Sequence, residues 1–183
     1  MPFVRSHFWS DRHSVNVYAV VGTAHPDCQG LTWGQFLAQG RRMRENQRLL
    51  QSNPGYYDAT SVKDPSMLYI SLDGKHWYVN GDGNHRTCLA RFHFQRLDAL
   101  GCGAQTMLHG VTVDDYRIDW PTRRAFEGLQ RIRDDGRLRR VEAGRMALGR
   151  DDGPGWKRDR FEPWIEVEDK RGRTRRLGYL EAG

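Results

Sequence analysis

The sequence predicts an α+β protein with one small mixed sheet and flanking helices. Three observations carry this. Strand and helix patterns alternate only in part, so a doubly wound parallel sheet is not indicated. Apolar, β-prone runs over 67–72 and 75–80 flank Asp73-Gly74, which reads as a tight hairpin. Finally, a glycine-rich turn, Gly81-Asp82-Gly83-Asn84, joins the strand end Trp77-Tyr78-Val79 to a helical pattern over 85–100.

The elements follow in order. Residues 15–21 form an apolar strand closed by His25-Pro26-Asp27. A helix is expected over 33–51, capped by Thr32. Trp33, Phe36, Leu37, Gly40, Met43, Gln47 and Leu50 share one side, and Arg41, Arg42, Glu45 and Arg48 the other. Ser52-Asn53-Pro54-Gly55 stops it, and a loop with Tyr56, Tyr57 and Lys63 leads to the hairpin. The helix over 85–100 offers Leu89, Phe92, Leu97 and Leu100 as its buried face. Gly101-Cys102-Gly103 breaks it before a strand over 106–117. Pro121 opens a further helix at the position proline favours, with Phe126, Leu129 and Ile132 inward. Asp134-Asp135-Gly136 interrupts this helix, and a second helical stretch is expected to about residue 148. A last hairpin, over 164–168 and 174–180, turns at Lys170-Arg171-Gly172-Arg173.

The 183 residues fit a single domain over 1–183. With 38% hydrophobic and 28% charged residues, the chain can bury one core under a very polar surface. No apolar run approaches a membrane span, and the first residues lack the apolar stretch of a signal peptide. Cys28, Cys88 and Cys102 are odd in number and lack C-x-x-C spacing, which argues against a disulfide framework or zinc site and for a reducing cytoplasm. The net charge is +6, with clusters at Arg41-Arg42-x-Arg44, over 123–145, and over 170–176. Five of the last seven residues named are Lys or Arg. Such a surface suits nucleic acid, nucleotide or an acidic partner, although each cluster alone also reads as a solvated face. Trp156 and Trp164 among arginines suit either a partner surface or a core.

The turn at 81–84 carries the most chemistry. A glycine turn entering a helix gathers unpaired backbone N–H groups at the positive end of the dipole, which is a phosphate pocket in outline. His85 and Arg86 follow directly and add side-chain donors. A bound phosphate would meet the N–H groups of Gly83, Asn84, His85 and Arg86, the Arg86 guanidinium and the Thr87 hydroxyl. His85 can move a proton or simply donate to phosphate. Asn84 can orient substrate or water, and it cannot act as a base. Asp82 can help hold Mg²⁺ beside phosphates or serve the turn itself. Lys63, Tyr56 and Tyr57 fall on a loop that the element order brings near the pocket, where rings could stack on a base. Arg12 and His13 are weaker candidates.

Asp82-Gly83-Asn84-His85-Arg86, after a strand and before a helix, resembles the signature turn of the ParB/sulfiredoxin superfamily. The resemblance covers about residues 14–120, leaving 121–183 as a helical and basic hairpin extension. The His-Phe-Trp-Ser-Asp-Arg-His opening at 7–13 and the basic tail look most like plasmid fertility-inhibition proteins of the Osa type. That resemblance implies a ParB/sulfiredoxin-like fold, with ATP hydrolysis and DNA cleavage. It also implies a block on conjugative or T-DNA transfer through a type IV secretion system. The expected partners are DNA and the coupling protein, with Arg171, Arg173, Arg175 and Arg176 reading the DNA backbone. His85, Arg86, Asp82 and Asn84 become the expected catalytic group. Asn84 stands where sulfiredoxins carry their nucleophilic cysteine, so sulfinic acid repair is excluded on chemical grounds. A module that only holds nucleotide or DNA and caps the coupling protein is the alternative.

Overall fold

The computed structural model describes residues 1–178. The chain is α+β, with a mixed sheet and flanking helices. It divides into two compact units, and β1 (Val4–Asn16) and β5 (Met107–Ile118) supply residues to both. One unit comprises residues 9–114 and 154–156, and the other residues 1–8, 115–153 and 157–183.

The first unit holds the glycine turn. Its strand order is β2-β4-β3-β5-β1, with β2 (Val20–Thr23), β3 (Leu68–Ser71) and β4 (Trp77–Val79). β3 and β4 are the expected antiparallel hairpin, whereas β2 runs parallel to β4. The hairpin turn forms because Gly74 takes φ +70°, while Asp73 Oδ1 accepts from the N–H groups of Lys75 and His76 at 2.8 Å each. A register shift between Val20 and Gly22 leaves Val21 half exposed. The core gathers Val15, Val17, Val20, Met67, Tyr69, Val79, Leu108, Val111 and Val113 against helix α3 (Asn84–Ala99).

Several expectations shift. The strand expected over 15–21 is the end of β1, a 3₁₀ turn over Val17–Ala19, and β2. The helix expected over 33–51 is two helices, α1 (Trp33–Gln39) and α2 (Met43–Ser52). Gly40 closes α1 in a non-helical conformation (φ −56°, ψ 123°), its N–H bonded to Phe36 O. A Cβ there would lie 2.8 Å from that oxygen, so the chain turns where only glycine fits. In α3 the buried side chains are Asn84, Thr87, Cys88, Leu89, Ala90 and Phe94. Phe94 rather than Phe92 reaches the core, and Leu100 is 64% exposed.

The second unit contains α4 (Trp120–Asp134), a long hairpin of β6 (Leu138–Gly153) and β7 (Trp156–Asp169), and β8 (Thr174–Leu177) paired with β7. Asp119 caps α4 through the Thr122 N–H at 3.0 Å, and Pro121 occupies its first turn as expected. Phe126 packs on Phe3, but Ile132 is 39% exposed. The helical stretch expected to residue 148 is the strand β6. Its Ala, Leu, Met and Arg residues favour helix locally, and pairing with β7 overrides that preference. Gly144 shows why: a Cβ there would fall 2.3 Å from the Trp164 ring, so the half-buried indole fits only against bare backbone. The last hairpin forms as expected through residue 177; the expected strand end at 179–180 lies outside the described residues. No described helix is long and apolar enough to cross a membrane.

Candidate functional site

The turn at 80–83 is tied to β3 at both ends. Asn80 N–H donates to Leu68 O at 2.9 Å, and Leu68 N–H to Asp82 O at 3.1 Å. Gly81 and Gly83 adopt φ +110° and +118°, conformations that suit glycine alone. Gly83 is the N-cap of α3 and offers no side chain, and the first turn contains no acidic residue. Gly83 N–H is taken by Asp82 Oδ1 at 2.7 Å, and Thr87 N–H begins the helical ladder on Gly83 O. The N–H groups of Asn84, His85 and Arg86 are therefore left at the positive end of a 16-residue helix without a side-chain cap.

Two unmet polar atoms lie beside them. Asn84 is 7% exposed; its Nδ2 donates to Gly81 O at 3.3 Å, while its Oδ1 is buried with no partner. His85 packs its ring on Phe36 at 4.9 Å, and its Nε2 is likewise buried and unpartnered. Burial lowers the His85 pKa from its ordinary value, and Arg42 and His25 lower it further against the opposing pull of Asp82. Burial thus favours the neutral imidazole. Both residues line a cleft of about 520 Å³ with Gly81, Asp82, Gly83, Phe36, His25, Asp27, Arg41 and Arg42.

The other expected site residues are placed differently. Arg86 is turned into the fold, its side chain only 12% exposed. Its Nη1 donates to Tyr56 Oη at 2.9 Å and to Pro65 O, and its Nη2 to Ser66 O at 2.9 Å, with Asp82 Oδ2 at 3.2 Å. The guanidinium thus clasps the loop before β3, and only its backbone N–H faces the turn. Thr87 is fully buried, with its hydroxyl 2.8 Å from Gly83 O and 2.7 Å from Tyr69 Oη. Lys63 is 2% exposed, and its ammonium donates to Tyr56 O and Ala59 O at 2.7 Å each. Burial lowers its pKa, with Asp58 opposing. Tyr57 is buried, and Tyr56 stacks edge-on against it. These groups build the wall behind the turn rather than the cleft in front of it.

Asp82 is the turn's one carboxylate, and its two oxygens already serve Gly83 N–H and Arg86. Among the described residues no group of three or more His, Cys, Asp or Glu side chains could hold a metal ion. This donor set does not fit a resident Mg²⁺. Cys88 is buried, 3.4 Å from Trp33 O, and burial pushes its pKa up to about 12. Cys28 lines the cleft, and burial with the nearby Asp27 raises its pKa too. Neither thiol is poised as a nucleophile.

The four arginines of the basic hairpin divide. Arg173 is chelated by Asp169 at 2.7 Å, and Arg176 lies over the Trp164 ring at 4.3 Å and 3.4 Å from Glu166. Among the described residues, Arg171 and Arg175 have no acidic partner within ion-pair distance.

Arg41, Arg42 and His25 are the cleft residues that sequence reasoning did not bring to the turn. The signal was the arginine pair directly after Gly40, where the helix breaks and redirects both side chains. A comparison with protein-family models, curated proteins and solved structures returns no match for this chain.

Proposed function

We propose that this protein binds a phosphate-bearing ligand at the N-terminus of α3 and acts as a binding module rather than through a nucleophile of its own. One observation carries the reading. An uncapped helix start, with Asn84 Oδ1 and His85 Nε2 both buried and unpartnered, opens into a cleft that also holds Arg41 and Arg42. Leaving such groups unmet costs about 1–3 kcal/mol each, and a ligand that meets them recovers that cost. Backbone N–H groups and arginines supply charge-assisted donors to phosphate. His85, whose pKa burial lowers, can accept a proton or donate one to phosphate, depending on its protonation and tautomer.

The resemblance to Osa-type proteins sets the proposed biology: inhibition of conjugative or T-DNA transfer through a type IV secretion system. Nucleotide held at the turn would accompany contact with DNA or the coupling protein. Arg171 and Arg175 are the hairpin residues best placed to meet DNA phosphates. Mg²⁺ enters this reading only as a companion of a bound polyphosphate. The ATPase and DNase activities of the resemblance form the second reading, favoured by the unpartnered Nε2 of His85 at the turn.

Calorimetry with ATP tests the binding reading on wild type and Asn84→Asp. The variant keeps the shape and places a negative charge at the phosphate position. Binding by wild type and its loss in a folded Asn84→Asp is the expected result; equal affinity removes the turn from the site. Phosphate release from ATP, with and without DNA, separates the two readings. Turnover abolished by His85→Gln, with ATP still bound, would favour the enzyme.

A further inference from the structure

We propose that the outer edge of β6 pairs antiparallel with β6 of a second copy of this chain, about a twofold axis at Met146, so that the sheet runs on into a dimer. β6 is 16 residues long and ends the strand order on its side. β7 pairs with one edge of it, and among the described residues no strand pairs with the other. A free strand edge presents a row of N–H and C=O groups, which is a template for another strand. Monomeric proteins blunt such an edge with proline or lysine, or keep it short. β6 is long and contains neither residue. Residues 145–150 are all exposed, with Met146 at 52% and Leu148 at 59%.

The charges say which strand fits. β6 is basic at its start, with Arg139 and Arg140, and acidic at its end, with Asp151 and Asp152. An antiparallel strand of the same sequence therefore brings unlike ends together. A twofold axis through the sheet keeps each side chain on its own face. Residues opposite each other are then both even-numbered or both odd-numbered. With Met146 opposite itself, Arg140 faces Asp152 of the second copy, and Glu142 faces its Arg150. No like charges are opposed anywhere along residues 140–152. A slip of two residues one way sets Arg140 against Arg150 and Arg145 against itself; the other way, it sets Glu142 against Asp152. Both slips place like charges directly opposite, which destabilises a strand pair.

The side chains concerned can reach across. Within one copy Arg140 lies 3.5 Å from Glu142, and Arg150 lies 3.2 Å from Asp152, with all four side chains at least half exposed. Pairing joins one such ion pair from each copy into a network of four charges, once at each end of the shared edge. Shape agrees with charge. The residue opposite Leu148 is Gly144, where the Trp164 ring lies on bare backbone. Each exposed leucine thus falls beside the half-buried indole of the second copy.

Analytical ultracentrifugation of the full chain tests this. The wild-type mass should rise with concentration to twice that of one chain. Met146→Lys, at an exposed position, sets two lysines against each other at the axis and should leave only monomer, with an unchanged circular dichroism spectrum. The register has its own test. In a chain with Cys28 and Cys102 replaced by serine, Met146→Cys should link two copies by a disulfide under mild oxidation, because directly opposite residues have Cα atoms about 4.5–5.5 Å apart. Leu148→Cys should not, since this register offsets the two copies of that residue by about 14 Å along the strand. A wild type that stays monomeric at high concentration, a dimer that Met146→Lys leaves intact, or a disulfide formed by Leu148→Cys and not by Met146→Cys overturns the proposal.

Discussion

The two units handle charge in opposite ways. The hairpin unit carries 19 Lys and Arg against 14 Asp and Glu, a net of +5 out of +6; the unit with the glycine turn carries 10 against 9. Yet most of the hairpin unit's arginines are already engaged. Arg139 and Arg140 pair with Glu168 and Glu166, Arg160 with Asp151, and Arg173 with Asp169. Arg145 stacks on Phe161 at 3.8 Å. The nearly neutral unit, by contrast, leaves Asn84 Oδ1 and His85 Nε2 unmet at one turn and gathers Arg41 and Arg42 beside them. Net charge marks a surface that attracts anions. Buried groups without partners beside an uncapped helix start are the groups that the proposed ligand would meet.

The largest effect expected is structural. Arg86→Ala removes charge-assisted bonds to Tyr56, Pro65 and Ser66 and should destabilise the turn unit by about 3 kcal/mol. Urea unfolding checks this; an unchanged midpoint would return Arg86 to the ligand side of the turn. Next comes Gly83→Ala, where φ is +118° and a Cβ would press on Met67 Cβ at 3.3 Å. It should cost about 1–3 kcal/mol and weaken anion binding together with stability. Gly172→Ala, at φ +77° with open space around it, should show the backbone cost without any loss of anion binding.

The fold was legible where local chemistry decides it. Asp73-Gly74, Pro121 and Gly83 each require their conformation, and each sits where expected. It was not legible where a distant partner decides. Residues 138–153 prefer helix by composition, and the Trp164 ring against Gly144 is invisible to a local window. At the site, the turn itself could be read. The direction of Arg86, Thr87 and Lys63 could not, because the carbonyls and hydroxyls that hold them come from other segments. The cleft opposite the turn was hidden for the same reason, since Arg41 and Arg42, after the chain turn at Gly40, meet residues of other segments there.

Two smaller effects sharpen the contrast between the units. Should the hairpin meet DNA, replacing Arg171 and Arg175 together should lower the salt slope of binding by about 1.8, which is roughly 0.9 for each phosphate contact. Replacing Arg173 and Arg176 should change it less, because Asp169 and Glu166 already hold them. Anisotropy titrations on short duplexes measure both, and equal slopes for the two double variants would dismiss ion pairing as the deciding factor. The smallest effect concerns protons. Burial and Arg42 lower the His85 pKa in the folded chain below the ordinary value of about 6.5. The neutral form's contribution to stability is therefore complete above about pH 6.5 and declines as pH falls toward the folded value, since the unfolded chain then takes the proton first. An anion at the turn offsets Arg42 and should raise the His85 pKa, so binding takes up protons and tightens as pH falls from 7.5 to 6. Imidazole NMR titrations with and without tripolyphosphate read this shift; a pKa indifferent to the anion would separate His85 from the site.

On the proposed function, the turn, and not the basic hairpin, is the primary phosphate site. Amide NMR on the full chain, titrated with tripolyphosphate at physiological salt, tests it most directly. Saturable shifts are expected at the backbone N–H groups of Asn84, His85 and Arg86, with only weak, non-saturating changes at Arg171, Arg173, Arg175 and Arg176. Saturable shifts confined to the hairpin, with the three turn amides unmoved, would contradict it.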